Sequence, residues 1–308
     1  MSSIALDNPA IAVTGATGLI GRHLVAALTR SGHTVFALQR APAAGAATWN
    51  VQTGEVSTPQ PIAALIHLAG RSVASRWTTY VKKEIQDSRG PATEKLSRHL
   101  AALPPDRRPR LFISASAIGI YGSRGDEVLT EDSAPASSGT SFLADVCRDW
   151  EAAANPAQDA GIRVVHPRIG VVLSTEGGAL AKLLTPAKLF VGGPVGRGSQ
   201  FLPWISLADL IRLFLAILAD PAPPHILNAV GPVPVRQQEF MRTLGRVIHR
   251  PAIVPLPGFM VKLAFGQMGR EMLLSSCRAI PTKLPAAFTF QHPALESALR
   301  AELSPPPA

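Results

Sequence analysis

The chain has 308 residues, which is enough for one large or two ordinary domains with a complete hydrophobic core. Its net charge of +9 comes mostly from scattered arginines, without a basic stripe interleaved with aromatic residues, so the composition argues against nucleic-acid binding. Two cysteines exclude a disulfide framework or a cysteine-based metal knuckle and fit a reducing compartment.

The N-terminus lacks the basic-then-apolar layout of a secretion signal. The longest apolar helical pattern, Leu207 to Ala219, is shorter than the roughly 20 residues of a membrane span. These features predict a cytoplasmic protein without a membrane partner.

The first half of the chain alternates β-rich runs with helical patterns. This alternation predicts parallel strands joined by right-handed helical crossovers, an α/β fold with a doubly wound sheet. The predicted strands are Ala10–Val13, Thr34–Leu38, Ala64–Leu68, Arg110–Ser114 and Arg163–Pro167, and the predicted helices are Leu19–Arg30, Trp77–Leu103 and Ser141–Ala160.

The pattern changes after about residue 173, where glycine pairs surround a short helix near Leu180–Leu184. A helix over Leu207–Ala219 and a strand over Ile226–Val230 then indicate a return to the sheet. We therefore predict a dinucleotide-binding domain over residues 1–173, to which about 203–233 return, and a smaller C-terminal substrate-capping lobe over 174–308.

The strongest motif follows the first strand. Residues 14–21 read Thr-Gly-Ala-Thr-Gly-Leu-Ile-Gly and lead into a helical run. Glycines permit a tight turn and close approach of a pyrophosphate, which the N-terminus of the next helix stabilises. This context predicts a dinucleotide site that includes Gly15, Ala16, Thr17, Gly18, Leu19, Ile20 and Gly21.

The end of the second strand suggests which dinucleotide is bound. NAD enzymes place an acidic residue there against the ribose hydroxyls, whereas this strand ends in Gln39-Arg40. The planar guanidinium of Arg40 suits a 2′-phosphate, so NADP(H) is preferred over NAD(H). The alternative is that Arg40 is an ordinary solvated cation.

No metal site is predicted, because the eight histidines are spread singly along the sequence. The third strand ends in His67-Leu68-Ala69-Gly70, a small-residue exit that lets backbone approach a cofactor. His67 by itself fits a packed histidine better than a catalyst.

Motifs in the same order along nearly the whole chain resemble the extended short-chain dehydrogenase/reductases. Within them, the chain most resembles the atypical branch of NAD-dependent epimerase/dehydratase-like "epimerase family" proteins. The matching blocks are Val13–Gly18, Trp49 with Gly54, Leu68–Gly70, Arg76–Thr78 with Glu84 and Ser88-Arg89, Ser114–Ser116 with Tyr121-Gly122, Phe142–Ala144 with Trp150-Glu151, Pro203–Ile205 with Asp209, and Pro281 with Lys283-Leu284.

The resemblance implies a Rossmann-type domain, an NADP-dependent oxidoreductase activity and a C-terminal lobe over the reactive end of the cofactor. It also implies that Leu68, Ala69, Gly70, Glu84, Arg89 and Val172 line the cofactor. The chain departs from the branch in two places, since His67 stands where Asn is common and Ser206 where His is frequent, and both changes weaken inference of the substrate.

The catalytic pair of the superfamily, Tyr-x-x-x-Lys, is absent from the sequence, whose two tyrosines are Tyr80 and Tyr121. Counting along the helix places the missing Tyr near Phe142 and the Lys at Val146. The candidate catalytic residues are therefore Ser116, which could orient a substrate carbonyl, and Asp145, whose pKa a dry pocket could raise; a solvated carboxylate is the alternative for Asp145.

Two functions follow from this incomplete site. The first is an NADP(H)-dependent oxidoreductase or epimerase-like enzyme for a small carbonyl or hydroxyl compound. The second is an NADP(H)-binding sensor or regulatory protein without turnover. A homodimer through the helices Trp77–Leu103 and Ser141–Ala160 would be typical of the superfamily.

Overall fold

A parallel sheet forms the centre of the molecule. The computed structural model describes residues 10–40, 46–251 and 254–304. The strands of this sheet are β1 (Ile11–Thr14), β2 (Val35–Ala37), β5 (Ala64–His67), β6 (Leu111–Ser114), β7 (Ser116–Ala117), β9 (Arg163–Ile169) and β13 (Ile226–Ala229). Their order is β2-β1-β5-β6-β9-β13, with β7 beside β9, and every pair is parallel. The predicted α/β, Rossmann-type fold is confirmed.

Helices cover both faces of the sheet, because alternate side chains of each buried strand point to opposite sides. On one face, α1 (Leu19–Arg30) and α7 (Leu207–Ala219) pack on residues such as Ile11 and Val13. On the other face, α3 (Gly90–Ala102) and α5 (Asn155–Asp159) pack on residues such as Leu65. The carboxyl ends of the parallel strands consequently open along one edge of the sheet, where ligands bind in folds of this class.

Two helices predicted as continuous are each divided in the structure. Trp77–Leu103 becomes α2 (Thr79–Asp87) and α3, and Ser141–Ala160 becomes α4 (Phe142–Ala152) and α5. Each second helix has a proline in its first turn, where the missing backbone N–H is tolerated. Pro91 and Pro156 were the available signals for these breaks.

The C-terminal part forms a second apolar cluster around Leu180, Leu184, Phe240, Leu244 and Leu299. Its helices are α6 (Gly178–Lys188), α8 (Gln237–Val247), α9 (Gly258–Met272) and α10 (Leu295–Leu303), and α9 is broken at Gly266. The division of the chain at residue 173 stays a prediction. Within the described ranges, no helix has both the length and the apolar character needed to cross a bilayer.

Short strand pairs complete the fold. They are β3 (Thr48–Trp49) with β4 (Val56–Ser57), β8 (Val128–Leu129) with β15 (Arg278–Ala279), β10 (Val171–Leu173) with β12 (Trp204–Ser206), and β11 (Phe201–Leu202) with β14 (Val235–Arg236). The parallel pairing of β10 with β12 holds Val172 beside Ile205 at the edge of the core.

Candidate functional site

The turn between β1 and α1 requires its glycines. Gly15 has φ of +68°, and a Cβ there would lie 2.8 Å from the backbone nitrogen of Ala69. A Cβ on Gly21 would collide with the carbonyl oxygen of Gly15. The N–H of Gly18 bonds to that same oxygen at 3.0 Å, which closes the turn. The turn thus forms a cradle that side chains would fill.

The first turn of α1 presents backbone N–H groups that the helix itself cannot satisfy. The helix begins at Leu19 after Gly18, whose position provides no side-chain cap, and its first turn contains no acidic residue. These N–H groups and the helix dipole fit an anion at Leu19, Ile20 and Gly21. The cradle therefore suits a pyrophosphate, as the sequence predicts.

Thr14 connects the glycine turn to the exit of β5. Its hydroxyl oxygen accepts bonds from the N–H groups of Leu68 (3.2 Å) and Ala69 (3.3 Å). With both lone pairs used, the hydroxyl donates to Nδ1 of His67 at 2.7 Å, so the proton of His67 is assigned to Nε2. That nitrogen bonds to Thr93 at 3.0 Å.

His67 is fully buried. Burial is the main cause that lowers its pKa to about 3, and the nearby positive charge of Arg89 is the second. The imidazole is therefore neutral at physiological pH and joins β1, β5 and α3. This confirms that His67 is a packed histidine.

Arg89 lies at the junction of α2 and α3, against the β5 exit. Its guanidinium carbon is 5.0 Å from the ring centroid of Trp150, and a Cβ on Gly70 would lie 3.2 Å from that carbon. Gly70 therefore lets the cation lie against the backbone. Nη1 donates to the carbonyl of Arg71 at 2.9 Å, whereas Nε and Nη2 make no bond to the described residues. These donors are available to an anionic ligand.

The remaining predicted cofactor residues lie around the same edge. Gln39 and Arg40 are exposed at the end of β2, and the Gln39 backbone pairs with Ala47 and Trp49. The carboxylate of Glu84 is 3.5 Å from Nε of Arg71.

Val172 lies close to the glycine turn. A Cβ on Gly178 would be 3.6 Å from the Val172 carbonyl oxygen and 3.8 Å from Leu19. Arg22 and His23 of α1 bind Glu176 at 2.5 and 3.1 Å, which holds this loop against the helix. The structure therefore brings Leu19 and Val172 together, although they are far apart in sequence.

Ser116 is buried, and its hydroxyl donates to Oε1 of Glu151 at 2.6 Å. Glu151 in turn forms a two-pronged ion pair with Arg168, with both N–O distances 2.9 Å. Burial alone would raise the pKa of Glu151, but the hydrogen bonds and charge of Arg168 outweigh it, so the pKa is lowered. In this arrangement the Ser116 hydrogen is directed to Glu151, and the serine oxygen is free to accept a bond from a substrate hydroxyl. Donation to a substrate carbonyl, the predicted role, would require this hydrogen to leave Glu151.

The polar network continues from Arg168 into the C-terminal part of the chain. Nη1 of Arg168 donates to the Tyr121 hydroxyl at 2.8 Å, which also lies 2.9 Å from Oδ1 of Asn228. The N–H of Asn228 donates to Glu131 at 2.9 Å, and Glu131 also accepts from the backbone of Thr282. Tyr121 is thus a packed residue of this structural network.

The face of α4 that meets the Ser116 segment carries neither Tyr nor Lys. A Cβ on Gly119 would lie 3.4 Å from Cβ of Leu143 and 3.8 Å from Sγ of Cys147. Leu143 and Cys147 therefore occupy the i and i+4 positions turned toward this segment. Phe142 and Val146 instead line a cavity of about 650 Å³ between α2, α3 and α4. Counting along the sequence placed the missing pair one residue too early.

Asp145 stabilises a loop. Its carboxylate accepts from the backbone of Gly139 at 3.1 Å and from Arg148 at 2.9 Å. The side chain is about one-third exposed and ion-paired. This is the solvated helix carboxylate that the sequence left as the alternative.

The two cysteines are buried thiols. Burial raises the pKa of Cys147 and of Cys277 to about 12, so neither is a ready nucleophile. In the described part of the chain, no group of His, Cys, Asp and Glu side chains could hold a metal ion.

Glu271 of α9 was not identified from the sequence. Its carboxylate accepts from the hydroxyl of Ser141 (2.8 Å) and the N–H groups of Phe142 (3.2 Å) and Leu143 (3.0 Å). A carboxylate at a helix N-terminus satisfies unpaired donors and the helix dipole. The C-terminal part thereby fixes the N-terminal end of α4, where Leu143 packs close to Gly119.

Comparison with known proteins identifies the family of the chain. The model of the "NAD dependent epimerase/dehydratase family" matches residues 11–229, about two thirds of the chain. The chain belongs to this family. A further model, a domain of unknown function, matches residues 256–302, which include α9 and all but the last residue of α10.

Relatives of this family member extend over almost its whole length. An epimerase family protein of Mycobacterium bovis is 40% identical over 300 residues, covering 96% of this chain and 97% of that protein. A chloroplastic homologue of epimerase family protein SDR39U1 from Arabidopsis thaliana is 35% identical, covering 94% and 86%. The crystal structure of human SDR39U1 (isoform 2) with NADPH superposes with a TM-score of 0.86 at 32% identity, covering 95% and 98%.

Proposed function

We propose that this family member is an NADP(H)-dependent oxidoreductase or epimerase-like enzyme for a small carbonyl or hydroxyl compound. The observation that carries the proposal is the glycine cradle at the carboxyl edge of the sheet, with cations on both sides of it. Arg40 lies at the end of β2, where no acidic residue is present, and Arg89 lies beside Gly70. Human SDR39U1, which shares this fold, was crystallised with NADPH.

The residues divide the binding task among them. The cradle and the first turn of α1 bind the pyrophosphate, and Arg40 binds the 2′-phosphate. Nε and Nη2 of Arg89, which have no partner among the described residues, donate to the cofactor. When bound, the nicotinamide would supply or accept the hydride. The described residues fit this cofactor. The glycine turn has no room for side chains at Gly15 and Gly21, so its backbone stays open to a pyrophosphate.

We infer that Ser116 orients the reacting oxygen of the substrate. Glu151 holds the hydroxyl hydrogen of Ser116, so the serine lone pairs can accept from a substrate hydroxyl. When that alcohol loses its hydride to NADP⁺, its proton would pass to Ser116 while the serine hydrogen passes along the existing bond to Glu151, and reduction of a carbonyl would be the reverse of this step. Asp145, engaged with Gly139 and Arg148, is left out of this proposal.

The experiment is a hydride-transfer assay. The protein is incubated with NADPH deuterated at one face of nicotinamide C4 and with a panel of small aldehydes and ketones, and in reverse with NADP⁺ and the alcohols. Transfer of deuterium from one face only would support an enzyme. A Ser116→Ala variant that binds NADPH normally should lose turnover.

A second function is favoured by the absence of Tyr-x-x-x-Lys from the sequence, because no residue pair of that kind can move the proton. This is an NADP(H)-binding sensor without turnover. Tight binding of NADPH with no deuterium transfer to any substrate, together with an altered affinity for a protein partner, would favour the sensor over the enzyme.

A further inference from the structure

The positive charge of the chain is concentrated in two stretches. Residues 177–208 contain three Lys or Arg residues, residues 240–270 contain five, and neither stretch contains Asp or Glu. These eight cations nearly account for the net charge of +9. All eight are exposed, and none is among the residues assigned above to the cofactor.

The same stretches carry most of the large apolar side chains that reach solvent. Leu263 is 83% exposed, Phe259 71% and Leu189 67%. Exposed apolar side chains that cluster on one surface mark a binding site more often than singly scattered ones do. The others in the two stretches are Phe190, Val191, Val254, Met260 and Phe265.

The two stretches meet in the fold. The N–H of Leu256 donates to the carbonyl of Pro194 at 2.9 Å, and the N–H of Gly196 donates to that of Leu256 at 2.8 Å. This pairing places Leu189–Val191 and Val254 at one edge, from which α9 begins at Gly258. We call the exposed side chains of residues 189–191 and 254–263, with the arginines beside them, the basic apolar face.

Cations and apolar groups touch within this face. The guanidinium of Arg250 lies 5.1 Å from the ring centroid of Phe190. Arg250 also lines a shallow pocket with Arg242, Arg246 and His249. Phe190 (φ +65°) and His249 (φ +54°) are the non-glycine residues with positive φ among those described.

The combination of arginines and exposed apolar side chains on this face indicates the kind of partner that it binds. Nucleic acid would pair with the arginines but offers little to Leu189, Val191, Met260 or Leu263. An anionic bilayer offers both phosphate charge and an apolar interior that exposed aromatic and aliphatic side chains can enter. The first part of α9, which ends at the Gly266 break, has Phe259, Leu263 and Lys262 exposed, as an interfacial helix requires.

We propose that the basic apolar face docks this protein peripherally on an anionic lipid bilayer. This proposal goes beyond the cofactor function and departs from the expectation, drawn from the sequence, that no membrane is involved. It is independent of turnover, because the face lies outside the glycine cradle.

The test is co-sedimentation of the full chain with vesicles of phosphatidylcholine alone and with 30% phosphatidylglycerol, at several salt concentrations. We expect binding only to the anionic vesicles, weakened by salt. The double variants Phe190→Ser with Leu263→Ser and Arg242→Gln with Arg250→Gln should each lower the affinity about tenfold or more. The matched controls lie elsewhere on the surface. Tyr80→Ser with Val233→Ser removes two exposed large side chains, and Arg107→Gln with Arg110→Gln removes the same charge as the arginine variant. Both controls should bind as the unaltered chain does.

Three outcomes would overturn the proposal. The chain does not bind phosphatidylglycerol vesicles; the serine variant binds them unchanged, which would make the attraction purely electrostatic; or a short DNA duplex competes the chain off the vesicles at equal phosphate concentration. NADPH affinity and thermal unfolding, measured for every variant, separate a lost surface from a lost fold.

Discussion

Ser116 and Glu151 are joined by a hydrogen bond of 2.6 Å between the serine hydroxyl and Oε1 of the carboxylate. Because Glu151 also neutralises the buried Arg168, the candidate catalytic serine is part of a structural ion-pair network. Removing the carboxylate and removing the hydroxyl should therefore have very different consequences.

Glu151→Gln should destabilise the fold by about 3–5 kcal/mol, because it leaves the Arg168 charge buried and uncompensated. Ser116→Ala should cost about 1 kcal/mol, since one hydrogen bond is lost. Urea unfolding of both variants measures this. Glu94→Gln, which breaks the exposed pair with Arg98, is the control and should change stability by about 1 kcal/mol or less. Equal effects of the Glu151 and Glu94 changes would contradict this account of the network.

Gly15→Ala should abolish measurable NADPH binding. The alanine would combine a positive φ, which costs about 1–2 kcal/mol, with a clash against the Ala69 backbone. Gly125 also has positive φ, of +62°, but a Cβ there meets nothing within 4 Å. Gly125→Ala should therefore show the conformational cost alone and bind NADPH normally, as titration of both variants will test.

Asp145→Asn should leave any turnover and NADPH affinity unchanged and lower stability by about 0.5–1 kcal/mol, since it weakens an ion pair that is partly exposed. Thermal unfolding and the deuterium-transfer assay measure the two effects. A large loss of turnover at normal stability would return Asp145 to the list of catalytic residues.

Acid should destabilise the fold through His67. Its pKa is about 3 when folded and about 6.5 when unfolded, so protonation favours the unfolded chain. The folded state has its full stability above pH 6.5 and loses stability as the pH falls from 6.5 toward 3. At pH 5 the loss of unfolding free energy is about 2 kcal/mol. Burial lowers the pKa of His166 to about 4, so it adds to the same slope.

The measurement is urea unfolding at pH 7 and pH 5. His67→Asn should reduce the loss of stability between these two pH values, whatever it does to stability at pH 7. His249→Gln, at an exposed position, is the control. A pH dependence that is unchanged by His67→Asn would show that this histidine is not the group that titrates.

The sequence predicted the sheet well because apolar runs such as Ile11–Val13 and Ala64–Ile66 are buried on both faces, which leaves a clear local pattern. The glycine turn was equally predictable. Gly15 has a positive φ that other residues rarely adopt, and a side chain at Gly21 would collide with the Gly15 carbonyl. Pro91 and Pro156 mark helix starts within two long helical patterns that periodicity alone predicts as continuous.

The site depends on contacts that local patterns do not encode. Glu151 and Arg168, which form an ion pair, are 17 residues apart in the sequence, and Glu271 and Ser141, which are hydrogen-bonded, are 130 residues apart. Neither spacing leaves a periodic signal. The helix α8 did leave one, because Phe240, Met241 and Leu244 recur at helical intervals and are all buried.

The central claim, a dinucleotide site that selects the 2′-phosphate, is tested most directly by calorimetric titration with NADPH and NADH, for the unaltered chain and for Arg40→Asp. The account predicts micromolar or tighter binding of NADPH, at least about tenfold stronger than NADH, with the preference lost in the variant because a bidentate charge-assisted contact becomes a repulsion. Absence of binding to either dinucleotide, or an equal loss of both in the variant, would contradict it.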